Sequence, residues 1–169
     1  MTTPTPENGL AVRIGKVRSG DLDAVVLARA GLARLDRLDD VTEVLDPLQV
    51  LPAPAQGALA IECRADDEEV LELLRALDDP DTRAAVAAER SLLAALEAGC
   101  TAPVGAMGEI AEGDDGPEIF LRGLVAALDG TDVVRLSATG PTSDAVGVGS
   151  RLAAELLDLG AADLMGVTR

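Results

Sequence analysis

The second half of the chain places one strong helical pattern directly before three strand patterns, and this order constrains the fold more than any other feature. Asp79 can cap the start of a helix, and Pro80 suits its first turn. Apolar residues at helical spacing continue to Ala98, and Gly99 can end the helix. Strand-like segments separated by Gly/Asp turns follow at 104–111, 118–128 and 132–138. Together with an acidic helix at 66–77 and a closing helix at 143–159, they predict an α+β domain with a three-stranded antiparallel sheet.

The residues before this domain carry the pattern of a different fold class. An apolar run rich in Val and Leu at 23–30 is typical of a strand that is buried on both faces of a mostly parallel sheet. Helical spacing returns over 31–38, so these two segments predict part of an α/β doubly wound domain. A further apolar strand pattern occupies 57–63.

The composition argues against two classes of partner. The 169 residues include 30 acidic and 14 basic side chains, which gives a net charge of −16, and Phe120 is the only aromatic residue. Nucleic-acid binding needs clustered cations and, for single strands, aromatic stacking surfaces, so we expect no nucleic-acid partner. The sequence has no apolar stretch of ~18 residues and no signal-peptide pattern at its start, so we expect a cytoplasmic protein without a membrane partner.

The two cysteines, Cys63 and Cys100, differ in their setting. They are too few for a disulfide framework, and because the chain has no histidine they predict no zinc site. Cys100 follows Gly99 at a helix C-terminus, whose partial negative charge disfavours a thiolate, so this thiol suits attachment better than turnover. A small apolar filler is the alternative for a cysteine in such a place. Cys63 lies in a strand pattern, and we expect it to be a buried, inert thiol.

Three motifs resemble, in the same order, those of the hydroxymethylbilane synthase (porphobilinogen deaminase) family. They are Gly20 to Leu35, Leu51 to Arg64, and Ala88 to Gly105, the last of which contains Glu-Ala-Gly-Cys-Thr. The resemblance runs from about Val12 to the C-terminus and corresponds to the C-terminal portion of a family member. The polar, Pro-rich start of the chain predicts a disordered leader at 1–10. For the rest of the chain, the resemblance implies a remnant of the α/β second domain at 11–56, a crossing strand at 57–65 and an α+β cofactor-attachment domain at 66–169.

The resemblance implies a transferase of tetrapyrrole and heme biosynthesis. In the family, the cysteine equivalent to Cys100 carries a dipyrromethane cofactor through a thioether, and this primer is extended by four porphobilinogen units with release of ammonia. Arg13, in Val-Arg-Ile-Gly-Lys, and Arg34, in Ala-Gly-Leu-Ala-Arg-Leu, match arginines that contact carboxylates of the cofactor or substrate. A solvated helix charge is the alternative for both arginines. Gln56 falls in the loop that the family turns toward the active-site cleft.

One departure from the family bears on activity. The catalytic carboxylate of the family belongs to a His-Ser-x-Lys-Asp-x-Pro segment, which this sequence does not contain. No residue is therefore assigned a catalytic role, and we expect the chain to be inactive on its own. The alternative function is a non-catalytic α+β binding or assembly module that keeps the fold. Family members are typically monomeric, but an unpaired apolar strand at 57–63 would favour self-association of this chain.

Overall fold

The computed structural model of the chain describes residues 9–99, 102–114 and 116–166. The chain divides into two units, residues 1–46 and 47–169. The predicted leader at 1–10 lies outside the described residues except for Gly9 and Leu10, where the first helix begins. No helix in the described part of the chain is long and apolar enough to cross a membrane.

The first unit contains two short helices and a turn. They are α1 (Gly9–Arg18), α2 (Arg29–Arg34) and a 3₁₀ turn (Leu38–Asp40). Ile14 of α1 and Leu32 of α2 are buried. The two helices approach closely, because a Cβ on Gly31 would lie 3.2 Å from Leu10 Cδ1. A larger residue at position 31 would require the Leu10 side chain to shift by a few tenths of an ångström.

The strand predicted at 23–30 does not form. Residues 24–28 are irregular, and α2 begins at Arg29. A strand needs a neighbour that completes its hydrogen-bond ladder, and none of the residues described in this unit forms one. The side chains of this apolar run suit a sheet, but the described residues of this unit form no sheet that it could join.

The crossing strand predicted at 57–65 is also absent, for the same reason. After a turn, residues 59–64 run without regular structure. Leu59 and Ile61 remain 81% and 57% exposed. Cys63 is half-buried and free, so the expectation of a buried thiol is wrong, because it depended on a packed strand that does not form.

The second unit forms the α+β arrangement that the sequence predicts. Its regular elements are α3 (Glu68–Leu74), a 3₁₀ turn (Arg75–Leu77), α4 (Pro80–Ala95), β1 (Val104–Gly113), β2 (Gly116–Ala126), β3 (Val133–Pro141), a 3₁₀ turn (Thr142–Asp144), α5 (Ala145–Asp158) and α6 (Ala161–Leu164). The sheet has the order β1-β2-β3 with both neighbouring pairs antiparallel, so β1 and β3 are its edges. The prediction of a three-stranded antiparallel sheet with helices is confirmed.

The core lies between one face of the sheet and helices α4 and α5. The largest fully buried side chains come from these two helices and from β2: Leu92, Val148, Leu152, Leu156, Ile119, Leu121 and Val125. The helices cross closely, because a Cβ on Gly149 would lie 2.2 Å from the Ala88 carbonyl oxygen. At the same crossing, Ser91 Oγ donates a hydrogen bond of 2.7 Å to the Val146 carbonyl. This packing fixes α4, the helix that leads toward Cys100, on the sheet.

The connector that precedes α3 is bound across the sheet, on the face opposite the helices. Leu51 is buried there, and a Cβ on Gly105 of β1 would lie 2.9 Å from Leu51 Cβ. Arg135 of β3 donates to the carbonyls of Leu48 and Gln49 at 2.6 and 3.0 Å. Residues 48–52 therefore belong structurally to the sheet, although they form no strand.

Candidate functional site

Cys100, the predicted attachment residue, and Thr101 lie outside the described residues, which stop at Gly99 and resume at Ala102. α4 ends at Ala95 in a Schellman arrangement, in which the N–H groups of Glu97 and Ala98 donate to carbonyls of the last helical turn at 3.0 and 3.2 Å. Glu97 takes the left-handed conformation, with φ 53°, that this ending requires. The prediction that Gly99 ends the helix is therefore wrong, because these hydrogen bonds close it earlier.

On the other side of Cys100 the chain enters the sheet at once. The backbone N–H of Ala126, at the end of β2, donates to the Pro103 carbonyl at 3.0 Å. The N–H of Ala102 reaches back to the Gly99 carbonyl, also at 3.0 Å. We call residues 96–103 the predicted attachment segment; its described flanks, 96–99 and 102–103, are held by α4 on one side and by the sheet on the other.

A pocket of about 330 Å³ opens beside these flanks. It is lined by Glu97, Ala98, Gly99, Ala102, Pro103, Leu128 and Met165. Apart from Glu97, these side chains are small or apolar, which suits the flat ring of a pyrrole better than its acidic substituents. The described lining includes no cation, so the carboxylates of a ligand in this pocket need partners from elsewhere. The lining therefore suits the pyrrole rings of a dipyrromethane, whereas its carboxylates need cations from outside the described lining.

Arg13 on α1 and Arg34 on α2 are exposed and belong to the first unit. Two other arginines of this unit are paired with a carboxylate. Arg37 hydrogen-bonds to Asp40, and this bond, aided by the charge of Arg18, holds the pKa of Asp40 below its usual value. Neither Arg13 nor Arg34 takes part in an ion pair among the described residues. Their guanidinium groups are therefore open to an external carboxylate.

Gln56 lies exposed in a tight turn at 53–58 of the second unit. Backbone hydrogen bonds of 3.1 and 3.3 Å link Gln56 to Ala53 and Ala58 to Ala55. A second pocket, of about 440 Å³, lies beside this turn and is walled on its far side by residues of α4 and β1. The predicted site residues are thus distributed over both units of the chain.

Sequence reasoning missed Glu89, which the structure places beneath this turn. Among the described charged residues, Glu89 alone is buried, with 8% exposure. Its Oε2 accepts the backbone N–H of Ala55 at 2.6 Å, and its Oε1 accepts that of Gly108 at 2.7 Å. The available signal was a single acid next to the apolar positions Ala88 and Leu92 of the helix. Its carboxylate ties the turn that carries Gln56 to α4 and β1.

Two family models match the chain in succession. Residues 8–72 match "Porphobilinogen deaminase, dipyromethane cofactor binding domain", and residues 83–158 match "Porphobilinogen deaminase, C-terminal domain". The first match contains Arg13, Arg34 and Gln56, whereas the second contains Glu89 and Cys100. The cofactor-binding model thus covers the segment before the α+β domain, whereas the predicted attachment residue Cys100 falls within the C-terminal model.

Curated relatives carry the same family name. The porphobilinogen deaminases of Mycobacterium tuberculosis (strain H37Rv) and Mycobacterium bovis (strain BCG / Pasteur 1173P2) are each 62% identical over 161 residues, which cover 92% of this chain and 52% of the relative. The enzyme of Mycobacterium marinum is 61% identical over 161 residues, or 92% of this chain and 51% of the relative. The chain thus spans about half the length of these relatives. Two successive domain matches, this level of identity and the α+β fold show that the chain belongs to the porphobilinogen deaminase family, as its C-terminal portion.

Proposed function

We propose that this chain is the cofactor-carrying part of a hydroxymethylbilane synthase, a transferase of tetrapyrrole and heme biosynthesis. In this function four porphobilinogen units are joined to a cysteine-bound dipyrromethane, each forming a C–C bond and releasing ammonia. The observation that supports the proposal best is the attachment segment, whose flanks are fixed beside an apolar pocket within the C-terminal domain of this family. Porphobilinogen as the substrate and the cytoplasm as the location belong to the same proposal.

Each predicted site residue has its own part in this function. The sulfur of Cys100 holds the dipyrromethane through a thioether, and the pocket beside Glu97 receives uncharged ring surface. Arg13 and Arg34 bind the acetate and propionate carboxylates, for which the planar guanidinium group is well suited. Gln56 hydrogen-bonds to the ligand from its exposed turn. When bound, the dipyrromethane supplies the free pyrrole carbon to which the next unit is joined.

We expect the chain alone to show no detectable turnover of porphobilinogen. Its sequence lacks the segment that carries the catalytic carboxylate in the family, and general acid–base catalysis contributes on the order of 10² to 10⁴ in rate. The assay follows porphobilinogen consumption by the purified chain. Turnover within about tenfold of a full-length relative would show that another carboxylate replaces the missing one.

Reconstitution tests the proposed function itself. The chain is mixed with the separately expressed part of the M. tuberculosis relative that it does not match, and porphobilinogen consumption is measured. We expect turnover from the mixture, loss of that turnover in Cys100→Ser, and its retention in the matched control Cys63→Ser. Activity that survives Cys100→Ser would contradict attachment at this residue.

A non-catalytic α+β binding or assembly module is the second candidate, because the α+β unit forms a buried core of its own. Intact-mass measurement of the chain after reconstitution separates the two candidates. A deaminase part should gain the mass of a covalent dipyrromethane, and Cys100→Ser should abolish the gain. A module that serves only binding or assembly keeps the mass of the unmodified chain.

A further inference from the structure

β1 is an edge strand, and residues of the same unit close its free edge. One side of β1 pairs with β2. On the other side, the backbone N–H of Ala106 donates to the Pro52 carbonyl at 2.9 Å, and that of Gly108 donates to Glu89 Oε1 at 2.7 Å. The Glu89 carboxylate thus takes the place that the next carbonyl of a partner strand would occupy.

The second oxygen of Glu89 fixes the turn at 53–58. Oε2 accepts the N–H of Ala55 at 2.6 Å, and Ala55 has a φ of 64°. An alanine in this left-handed conformation is strained, so the turn keeps its shape because surrounding contacts hold it there. Gln56 is the next residue, and the position of its backbone follows from this anchor.

α4 supplies both the carboxylate and the close fit at this place. Glu89 is 8% exposed, and a Cβ on Gly108 would lie 3.2 Å from the Cα of Ala85, one turn earlier on α4. β1 therefore lies against α4 where the carboxylate reaches it. The same helix leads toward Cys100, so one rigid element connects the turn that carries Gln56 with the attachment segment.

We propose that Glu89 is a positioning residue of the pyrrole site, which sets the position of Gln56 relative to α4 without touching the ligand. The inference rests on the proposed function, because that function gives Gln56 its ligand. Glu89→Gln keeps the size of the side chain and one acceptor oxygen, but it turns an NH₂ group toward a backbone N–H. One of the two hydrogen bonds, to Ala55 or to Gly108, is then lost, so the side chain no longer links the turn to β1.

Amide hydrogen exchange of the chain tests the anchor without any assay of activity. In the unsubstituted chain, the N–H of Ala55 should exchange at least about tenfold more slowly than that of Gly57, for which the described residues provide no acceptor. In Glu89→Gln the N–H that faces the NH₂ group, that of Ala55 or that of Gly108, should exchange about tenfold faster, while the buried Leu152 on α5 keeps its protection. Equal exchange at Ala55 and Gly57 in the unsubstituted chain overturns the proposal, whether or not the variant folds.

Kinetics of the reconstituted mixture test the link to the ligand. Glu89→Gln and Gln56→Ala should each raise KM for porphobilinogen about tenfold, and the double variant should be no worse than Gln56→Ala, because Glu89 acts through Gln56. Glu109→Gln is the matched control: it removes an exposed carboxylate that pairs with Arg122, and it should leave KM unchanged. Additive effects of the two substitutions overturn the positioning role. A mixture without turnover contradicts the proposed function and the role of Gln56 with it, whereas the exchange result still decides on the anchor.

Discussion

Two residues next to the candidate site, Ala55 and Glu97, hold left-handed backbone although neither is a glycine. This conformation costs a non-glycine residue about 1–2 kcal/mol. In both cases hydrogen bonds maintain it: Ala55 donates to the buried Glu89, and Glu97 donates within the Schellman ending of α4. The strain therefore lies beside Gln56 and beside Cys100, and strained backbone is commonly found at functional segments.

Replacing Ala55 by glycine should stabilise the chain. Glycine adopts the φ of 64° without strain and keeps the N–H that Glu89 accepts. We expect a gain of about 0.5–1 kcal/mol in the free energy of unfolding, less than the full strain because glycine also gives the unfolded chain more freedom. Urea unfolding measures the change. Ala53→Gly is the control, because φ is not positive there and the substitution should destabilise; a destabilised Ala55→Gly would contradict the strain.

The N-cap of α4 should make stability depend on pH. The backbone N–H of Thr82 donates to Asp79 at 2.7 Å, and this bond lowers the pKa of Asp79. Since the folded pKa lies below the usual value of 3.8, the cap stabilises the fold at neutral pH and loses this effect as the pH falls through the folded pKa. Asp79→Ala should lower Tm at about pH 7, and the difference from the unsubstituted chain should disappear in acid.

Thermal unfolding followed by circular dichroism over a pH series checks this expectation. Asp81→Ala is the control, because Asp81 lies in the same helical turn but forms no hydrogen bond among the described residues. It should show the smaller pH dependence. A Tm difference for Asp79→Ala that stays constant down to the lowest pH would contradict the cap.

For single residues, a local motif can nominate members of a site, but it does not contain the folded contacts that hold them in place. The predicted site residues stand in local motifs, which is why a resemblance finds them. Glu89 instead binds Ala55, which lies 34 positions away in sequence, and Gly108, which lies 19 positions away. Its role depends on folded contacts that no local pattern contains.

At the scale of elements, prediction succeeds where the partners of an element are close in sequence. The three strands of the sheet follow one another through short turns, so alternation and turn residues are enough to find them. The strand predictions at 23–30 and 57–63 fail because an apolar pattern does not supply a neighbouring strand. The end of α4 is misplaced because the hydrogen bonds of Glu97 and Ala98 close the helix before Gly99.

The crossing of α4 and α5 should tolerate no added atom at Gly149. A Cβ there would lie 2.2 Å from the Ala88 carbonyl oxygen, and backbone atoms cannot move aside as a flexible side chain can. We expect Gly149→Ala to lower the free energy of unfolding by about 1–3 kcal/mol, measured by urea unfolding. Gly15→Ala on α1 is the matched control: nothing lies within 4 Å of its Cβ, so it should stabilise by about 0.5–1 kcal/mol. Equal effects at both positions would contradict the close crossing.

The whole molecule carries a net charge of −16, which opposes the approach of a ligand with many carboxylates. Local cations must therefore hold such a ligand. Arg18 and Arg37 are committed to Asp40, whereas Arg13 and Arg34 form no ion pair among the described residues. The arginines without an ion pair, which among the described residues of this unit also include Arg29, are the groups available to a carboxylate on this acidic protein.

We expect the chain to self-associate through residues 57–63, where Leu59 and Ile61 are 81% and 57% exposed. No strand forms there, but apolar side chains on irregular backbone still offer a surface that another chain can cover. Size-exclusion chromatography with light scattering over a dilution series should show a mass above the 17.2 kDa of a monomer. Ile61→Lys should shift the chain toward the monomer.

The matched control for this substitution is Val146→Lys on α5, at a position of similar exposure, 62%. It changes charge and apolar surface equally but lies outside the segment, so it should leave the association unchanged. A monomer at every concentration, or an equal effect of both lysines, would refute association through residues 57–63.

The contacts of residues 48–52 with the sheet restrict where hybrids of two family members can be joined. We call residues 48–52 the strip. In a hybrid whose crossover lies between the strip and β1, Leu51 comes from one parent and residue 105 from the other, and any side chain larger than glycine at position 105 collides with the strip. The parent that supplies β3 must also provide Arg135, whose side chain donates to the backbone carbonyls at positions 48 and 49. Viable hybrids should therefore have their junction before Pro47, so that the strip and the sheet are inherited as one block.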